Sequence, residues 1–268
     1  DARLLLEAVC GTDRNDLLVH GEQPVAPEAE EKYLNWIRQR AEHIPLQQLT
    51  GEQGFMGLTF SVNEHVLIPR QDTEILVEEV LKELHDGMRV LDMCTGSGCI
   101  LLSLLHYSND CEGLGVDLSA EALKVAGRNV LKVLTPEKAE HAHFLQSDLF
   151  EKVEGKFEII VSNPPYIASA EVEKLMPEVR DHEPRMALDG TEDGLYFYRR
   201  IIEEAGKHLV SSGMLFFEIG YDQGQAVSEL MRTEGYCDVQ VVQDYAGLDR
   251  VVFGTYVTVQ PAPFAKSR

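Results

Sequence analysis

Hydrophobic side chains recur at helical spacing over residues 1–50, at strand spacing over 54–68, and in alternating blocks of both from residue 72 onward. Leu4, Leu5, Leu6 and Val9 cluster ahead of Gly11, a common helix stop. Pro27 suits a first helical turn, and Tyr33, Leu34 and Ile37 follow at the spacing of one buried face before Pro45. Residues 1–50 are therefore expected to form a small helical domain, for partner docking or for packing. Leu58, Phe60 and Val62 then alternate with Thr59 and Ser61, and Asn63-Glu64 offers a turn ahead of Val66-Leu67-Ile68. This predicts a β-hairpin connector within 51–71.

From residue 72 the pattern alternates helix and strand to the end of the chain. Asp72 or Thr73 is placed to cap a helix running to Leu84. Strands are predicted at 88–92, 112–117, 142–146, 157–162 and 214–219, with helices near 99–107, 119–133, 171–176, 194–209 and 223–234. Such alternation implies a parallel sheet covered on both faces. The last two strands, at 236–244 and 250–259, have only a short loop between them, so they should form an antiparallel hairpin. Seven strands closed by a hairpin fit a methyltransferase-type Rossmann-like domain over 72–268 better than a dehydrogenase.

Composition narrows the chemistry. The chain has 268 residues, 44% of them hydrophobic, as in an ordinary globular protein. Lys plus Arg number 24 against 45 Asp plus Glu, a net charge of -21, which speaks against a protein that grips nucleic acid by its phosphates. Cys10, Cys94, Cys99, Cys111 and Cys237 show no C-x-x-C pair, so neither a zinc site nor a redox dithiol is expected, and a reducing cytoplasm is. No apolar run approaches the roughly 18 residues of a membrane span. The first residues carry no signal-peptide pattern and no Met, so the natural chain is expected to begin earlier.

Two motifs carry the candidate chemistry. In the first, Asp92-Met93-Cys94-Thr95-Gly96-Ser97-Gly98 runs from a strand into a helix, and its glycines let backbone pass close to a ligand. Leu101 stands where the dinucleotide fingerprint needs a third glycine, which weakens a nicotinamide reading. Asp117 ends the next strand, 19 residues after Gly98, where a carboxylate accepts both hydroxyls of a ribose. A nucleoside without a required diphosphate fits this pair, and S-adenosylmethionine is the expected ligand. Asp148, after the third strand, is a candidate partner for the adenine amino group. The bland reading is a simple turn at Gly96 and Gly98, a helix cap at Asp117 and a solvated loop at Asp148.

In the second, the fourth strand runs into Asn163-Pro164-Pro165-Tyr166. The prolines stiffen the backbone and remove two N–H donors, leaving the Asn163 side-chain oxygen and the Pro164 carbonyl as rigid acceptors. Such a pair takes both hydrogens of a planar NH2 group, and Tyr166 offers a ring face for the substrate or for a sulfonium cation. An amide NH2 is a poor nucleophile, so catalysis would come from positioning, which is worth about 7–11 kcal/mol for well-oriented reactants. Asn163, Pro164 and Tyr166 are the candidate catalytic residues, with Pro165 in the substrate site.

At these residues the sequence resembles the HemK/PrmC family, the peptide chain release factor N(5)-glutamine methyltransferases. The resemblance includes NPPYI at 163–167, LIPRQDTEILVE at 67–78, LDMCTGSGCI at 91–100, EPRMALDGTEDGLYFYRRI at 183–201, FEIGYDQG at 217–224 and AGLDRVVFG at 246–254. It implies a class I S-adenosylmethionine-dependent fold with an N-terminal helical domain, and as substrate the glutamine of the Gly-Gly-Gln motif in bacterial class 1 release factors. It places cofactor contacts at Cys94, Thr95, Gly96, Ser97, Gly98, Asp117, Leu149 and Asn163, and the substrate amide at Asn163 to Tyr166. Against the family's length, the chain is expected to lack about one N-terminal helix.

Arg70 either shapes the site or forms an ordinary ion pair. Glu183, Asp189, Glu192 and Asp193 form either a partner-facing patch or a solvated loop, the latter being the ordinary fate of a charge run. Competing functions are methylation of a ribosomal-protein glutamine, methylation of an adenine amino group in nucleic acid, and a non-catalytic docking module. A flipped base needs a target-reading domain or a basic groove, and neither is visible here.

Overall fold

The computed structural model describes residues 1–257, and the expected end of the last strand at 258–259 lies outside them. The first helix, α1 (Ala2–Cys10), ends where Gly11 turns left-handed at φ 63° and its N–H reaches Glu7 O. α2 (Arg14–His20) was not anticipated from the apolar pattern; its signal is polar, the Asp13 carboxylate capping Asn15 N and Asp16 N. α3 (Pro27–Ala41) begins at its proline, and α4 (Leu46–Thr50) is a short further element. The expected buried face of α3 is corrected: Tyr33 and Ile37 are only half-buried and Leu34 is 44% exposed, because the short helices around α3 leave its outer side uncovered.

The connector hairpin pairs β1 (Glu52–Phe55) with β2 (Leu58–Ser61). Its turn is Met56-Gly57, both at positive φ as a tight two-residue turn demands, and not Asn63-Glu64. Asn63 instead closes a local turn by accepting from His65 N at 3.0 Å. Val66, Leu67 and Ile68 are therefore not a strand; Val66 and Ile68 are buried in an irregular run.

The main domain proceeds through α5 (Asp72–Glu83), β3 (Arg89–Met93), α6 (Cys99–Tyr107), β4 (Glu112–Asp117), α7 (Ala120–Val133), α8 (Pro136–Ala139), β5 (Ala142–Gln146) and β6 (Phe157–Ser162). After the short α9 (Ser169–Val172) and α10 (Pro177–Arg180) come α11 (Tyr196–Ala205), β7 (Leu209–Glu218), α12 (Gly224–Thr233), β8 (Tyr236–Gln243) and β9 (Asp249–Tyr256). The single helix expected at 171–176 is replaced by α9 and α10, separated by the run up to Met176 before Pro177. Gly206 follows the last residue of α11, so β7 starts five residues earlier than expected. Neither Asp72 nor Thr73 caps α5, whose N-cap is Gln71; Asp72 pairs with Arg250 and Thr73 turns toward the site.

Seven strands form one sheet in the order β5-β4-β3-β6-β7-β9-β8, parallel except for β9, which runs antiparallel to β7 and β8. Consecutive apolar residues explain why both faces are buried. Val90, Ile159, Val161 and Phe216 face α5, α6 and α7, while Leu91, Ile160, Leu215 and Phe217 face α11 and α12.

Asn129, fully buried on α7, ties the hairpin to the glycine loop. Its Oδ1 accepts from Ser61 N at 2.7 Å, and its Nδ2 donates to Ser61 O at 3.0 Å and Ser97 O at 2.9 Å. Asn129→Ala removes the side-chain partner of these backbone groups and should cost about 1–3 kcal/mol, read from the urea midpoint at unchanged slope.

Candidate active site

The glycine loop is shaped by three residues at positive φ, Cys94 at 63°, Gly96 at 55° and Gly98 at 78°. A β-carbon at 98 would crowd Ala126 and Leu102 at 3.2 Å, whereas one at 96 would meet nothing within 4 Å among the described residues beyond its chain neighbours. The loop thus packs tightly against its helices at one glycine and leaves room for a ligand at the other. Asp92, fully buried beneath it, accepts from Thr95 Oγ1 at 2.6 Å and from Leu101 N at 3.3 Å, while its Oδ1 has no partner among the described residues. Burial pushes its carboxyl up to about 7.

Asp117 ends β4 and braces the loop from the other side. One oxygen accepts from Gly96 N at 2.9 Å and the other from Ser119 N at 2.8 Å. It is not the cap of α7; Ser119 is, through its hydroxyl and Ala122 N. Burial raises the Asp117 carboxyl, and the backbone N–H groups oppose the shift. Each oxygen keeps a further acceptor direction, as two adjacent hydroxyls require.

A cavity of about 210 Å³ opens beside these residues, lined by Cys94 to Ser97, Asp117, Leu118, Asp148, Leu149, Asn163 and Pro165 among others. The Cys94 thiol is pushed far up by burial and by Asp117. Leu149 sits at φ 47° with its side chain buried, and Leu118, 56% exposed, reaches the same wall. Asp148 lies on the wall, but its carboxylate is held by Arg200 Nη1 at 2.9 Å. The solvated-loop reading of Asp148 thus gives way to an ion pair at the cavity edge.

The Asn-Pro-Pro-Tyr loop leaves β6 beside the glycine loop because Ser162 Oγ donates to Met93 O at 2.6 Å. Asn163 is half-buried, and its Nδ2 donates to Thr73 Oγ1 at 3.4 Å. Pro164 and Pro165 are buried. Of this loop Asn163 and Pro165 line the cavity. Tyr166 follows them, half-buried. Its phenol donates to Glu218 Oε1 at 3.2 Å, its carbonyl accepts from Gln223 Nε2 at 3.0 Å, and burial drives its ionisation far up.

Arg70 also lines the cavity, and it is an ion pair: Nη2 meets Glu183 Oε1 at 2.5 Å, while Glu183 Oε2 accepts from Ile68 N at 3.0 Å. Glu183 is 5% exposed, so the 183–193 stretch is not a uniform acidic surface. Asp189 is held by Ser169 Oγ, Thr191 N and Arg185, and Asp193 by Leu195 N and Arg199, while Glu192 and Asp193 are the exposed members of the set.

Asp92, Thr73 and Glu218 were missed by motif reasoning. Asp92 and Glu218 had a readable signal, since each stands at or next to the carboxyl end of a parallel strand, where such folds place ligand-facing groups. Thr73 had none, because its importance comes from Asn163 lying across from it.

A parallel sheet in this order with an antiparallel terminal hairpin, a glycine loop after the first strand of the sheet and an acidic residue ending the next define a class I S-adenosylmethionine-dependent methyltransferase. Comparison with known proteins agrees. Residues 1–51 match the PrmC N-terminal domain and residues 70–179 the methyltransferase small domain. The chain is 42% identical over 256 residues to a release factor glutamine methyltransferase of Clostridium acetobutylicum, covering 94% of this chain and 89% of that one. It is 44% identical over 254 residues to another of Moorella thermoacetica, covering 93% and 88%. A solved methyltransferase from Pyrococcus furiosus shares the fold at 17% identity and a TM-score of 0.55, over 84% of this chain and 99% of that one. The chain belongs to the release factor glutamine methyltransferase family.

Asp92 gives a prediction of its own. A carboxyl raised to about 7 in the folded protein and near 3.8 when unfolded contributes stability that is present below about pH 4. That contribution is lost as pH rises through about 7. Asp92→Asn removes the dependence. The stability of the variant minus that of the parent should therefore increase between about pH 4 and pH 8, read by urea unfolding at several pH values.

Proposed function

We propose that this chain transfers a methyl group from S-adenosylmethionine to the side-chain amide nitrogen of the glutamine in the Gly-Gly-Gln motif of peptide chain release factors. The observation that carries this reading is the single cavity on which Asp117, the glycine loop and Asn163 all stand. S-adenosylmethionine, when bound, supplies an electrophilic methyl group on a sulfonium. Asp117 would hold the ribose, with Leu118 and Leu149 as the apolar walls against the base and the 94–98 loop against the rest. Asp148 would meet the adenine edge from its place beside Arg200. Room beside Gly96, and free acceptor directions on Asp117, suit that ligand.

The chain's own task is to prepare the amide. Asn163 Oδ1 and the Pro164 carbonyl accept its two hydrogens, which enriches the nitrogen and fixes the direction of its lone pair. Pro165 stiffens the loop, and Tyr166 anchors it from behind through Glu218 and Gln223. No strong base is needed, because the proton is acidic only once nitrogen has acquired the methyl group and then leaves to water. Arg70, pinned by Glu183, shapes the wall.

Residues 1–50 serve in this reading as the docking element for the release factor. Leu18 and Val19 on α2 are 75% and 73% exposed, an apolar pair that folding alone does not explain. The reaction belongs with translation in the cytoplasm. Among the described residues no helix is long and apolar enough to cross a membrane.

Label transfer from methyl-labelled S-adenosylmethionine to a release factor, and none to a variant whose Gly-Gly-Gln glutamine is replaced, is the expected result; label on both or on neither rejects the substrate. Asn163→Ala should lower kcat about 10²- to 10³-fold with cofactor affinity kept, by analogy with loss of one preorganised hydrogen-bonding group. Asp117→Ala should weaken cofactor binding at least about tenfold by calorimetry. Replacing Leu18 and Val19 together by Ser should raise KM for the release factor several-fold while leaving cofactor affinity and the unfolding midpoint unchanged.

A further inference from the structure

The Asn-Pro-Pro-Tyr loop has few means of holding itself. Its prolines carry no N–H, so within 163–166 only Asn163 and Tyr166 can donate from the backbone. Its pose therefore depends on what packs against it, and that is the segment 188–194. Ile167 N donates to Leu188 O at 3.0 Å, Gly190 N to Ile167 O at 2.8 Å, and Ser169 N to Thr191 O at 2.8 Å. Ser169 Oγ adds a bond to Asp189 Oδ1 at 2.6 Å. The residues that leave the loop are thus laid parallel to this segment, with Ile167 opposite Asp189.

Where the loop itself meets the segment, backbone lies directly on backbone. A β-carbon on Gly190 would stand 2.8 Å from Pro165 O, 2.8 Å from Tyr166 Cα and 2.9 Å from Gly194 Cα. One on Gly194 would press on Tyr166 O and lie 2.8 Å from Gln223 Nε2. Gly190 is not in the left-handed region, so closeness alone asks for glycine there, whereas Gly194 at φ 73° answers to conformation as well. Both glycines are buried. Gln223 closes the arrangement. Its Nε2 donates to Tyr166 O at 3.0 Å and to Gly194 O at 3.4 Å, and its Oε1 accepts from Gly220 N at 2.9 Å. One side-chain amide thus fastens the loop, the 188–194 segment and the turn after β7 to each other.

We infer that Gly190, Gly194 and Gln223 are positioning residues for the methyl transfer, a glycine wall and an amide clamp that set where Asn163 and Pro164 hold the substrate amide. The inference rests on the reading of that loop as the acceptor for the amide. It gives 188–194 a task that is neither a partner-facing patch nor a solvated loop. A rigid pair of acceptors serves only at one distance from the methyl donor, and a misplacement of about 1 Å costs on the order of 10²-fold in rate. An added β-carbon at 190 forces the loop to move, because Pro165 O and Tyr166 Cα are backbone atoms that cannot turn aside.

With methyl-labelled S-adenosylmethionine and a release factor, Gly190→Ala should lower kcat about tenfold or more. Cofactor affinity by calorimetry and KM for the release factor should both stay within about twofold of the parent. Gln223→Glu, ionised at neutral pH, keeps the acceptor for Gly220 N and loses the donor to Tyr166 O; it should show the same split with a loss of about threefold or more. Placed on Asn163→Ala, Gly190→Ala should cost at most about threefold, because one of the acceptors it positions is already gone. A role in the fold alone would weaken cofactor binding in step with kcat and give equal losses on both backgrounds, and either result overturns the inference. A kcat within twofold of the parent while Asn163→Ala is crippled strikes that residue from the role and leaves Asn163 in its own. Where Gly190→Ala does not fold, Gln223→Glu decides. Near-normal turnover of Asn163→Ala overturns the acceptor reading itself, and the positioning with it.

Discussion

The pairing of β3 with β6 is the contact on which the site depends. These strands are hydrogen-bonded neighbours in parallel register, Met93 opposite Ser162, and the Ser162 hydroxyl donates across to Met93 O. β3 is also the strand from which the sheet grows outward in both directions, to β4 on one side and β6 on the other. Loops leaving adjacent strands at such a switch diverge, and the crevice between them is where open α/β sheets bind ligands. Here one loop is rich in glycine and the other in proline. The first lets a ligand come close, the second holds acceptors rigid, and their separation is set by backbone hydrogen bonds.

Buried carboxylates organise this edge. Asp92 lies under the glycine loop, Asp117 beside it, and Glu218 behind the proline loop, each raised by burial. They are opposed by different donors: a threonine hydroxyl and a backbone N–H at Asp92, backbone N–H groups at Asp117, and hydroxyls with a guanidinium at Glu218. The net charge of -21 says nothing about this, since it is dominated by surface groups such as Glu121 and Glu137. The local charges that matter are few and hydrogen-bonded, and they hold backbone in conformations it would otherwise leave.

Much of this was legible beforehand. Strands 112–117, 142–146 and 157–162 coincide with β4, β5 and β6, the last of them marked by the continuous apolar run Ile159-Ile160-Val161. The terminal hairpin followed from the lack of residues for a crossover helix. The glycine loop and Asn163 come together at the cavity as motif spacing required. What escaped was polar or tertiary in origin. α2 is announced by an Asp cap in a segment of weak periodicity. The hairpin turn falls at Met56-Gly57 because only the fold shows which of two turn signals is used. The Tyr166 hydroxyl is bonded to Glu218, 52 residues later, a partner that no local pattern announces. Glu183 looked solvated until Arg70, 113 residues earlier, met it.

The segment from Pro177 to Ala187 runs between two parts of the molecule. At its beginning Glu178 pairs with Arg40 of α3, His182 Nε2 donates to Glu42 O at 3.1 Å, and Gln48 Nε2 donates to His182 O at 2.7 Å. At its end Pro184, Met186 and Ala187 form part of the cavity wall, and Glu183 between them anchors Arg70. The N-terminal helices and the ligand cavity therefore share one strut about ten residues long. A strut held at both ends transmits displacement in either direction. Any free energy that a partner on the helices stores in it is available to the cavity, and by linkage the contents of the cavity bear equally on how the helices are held.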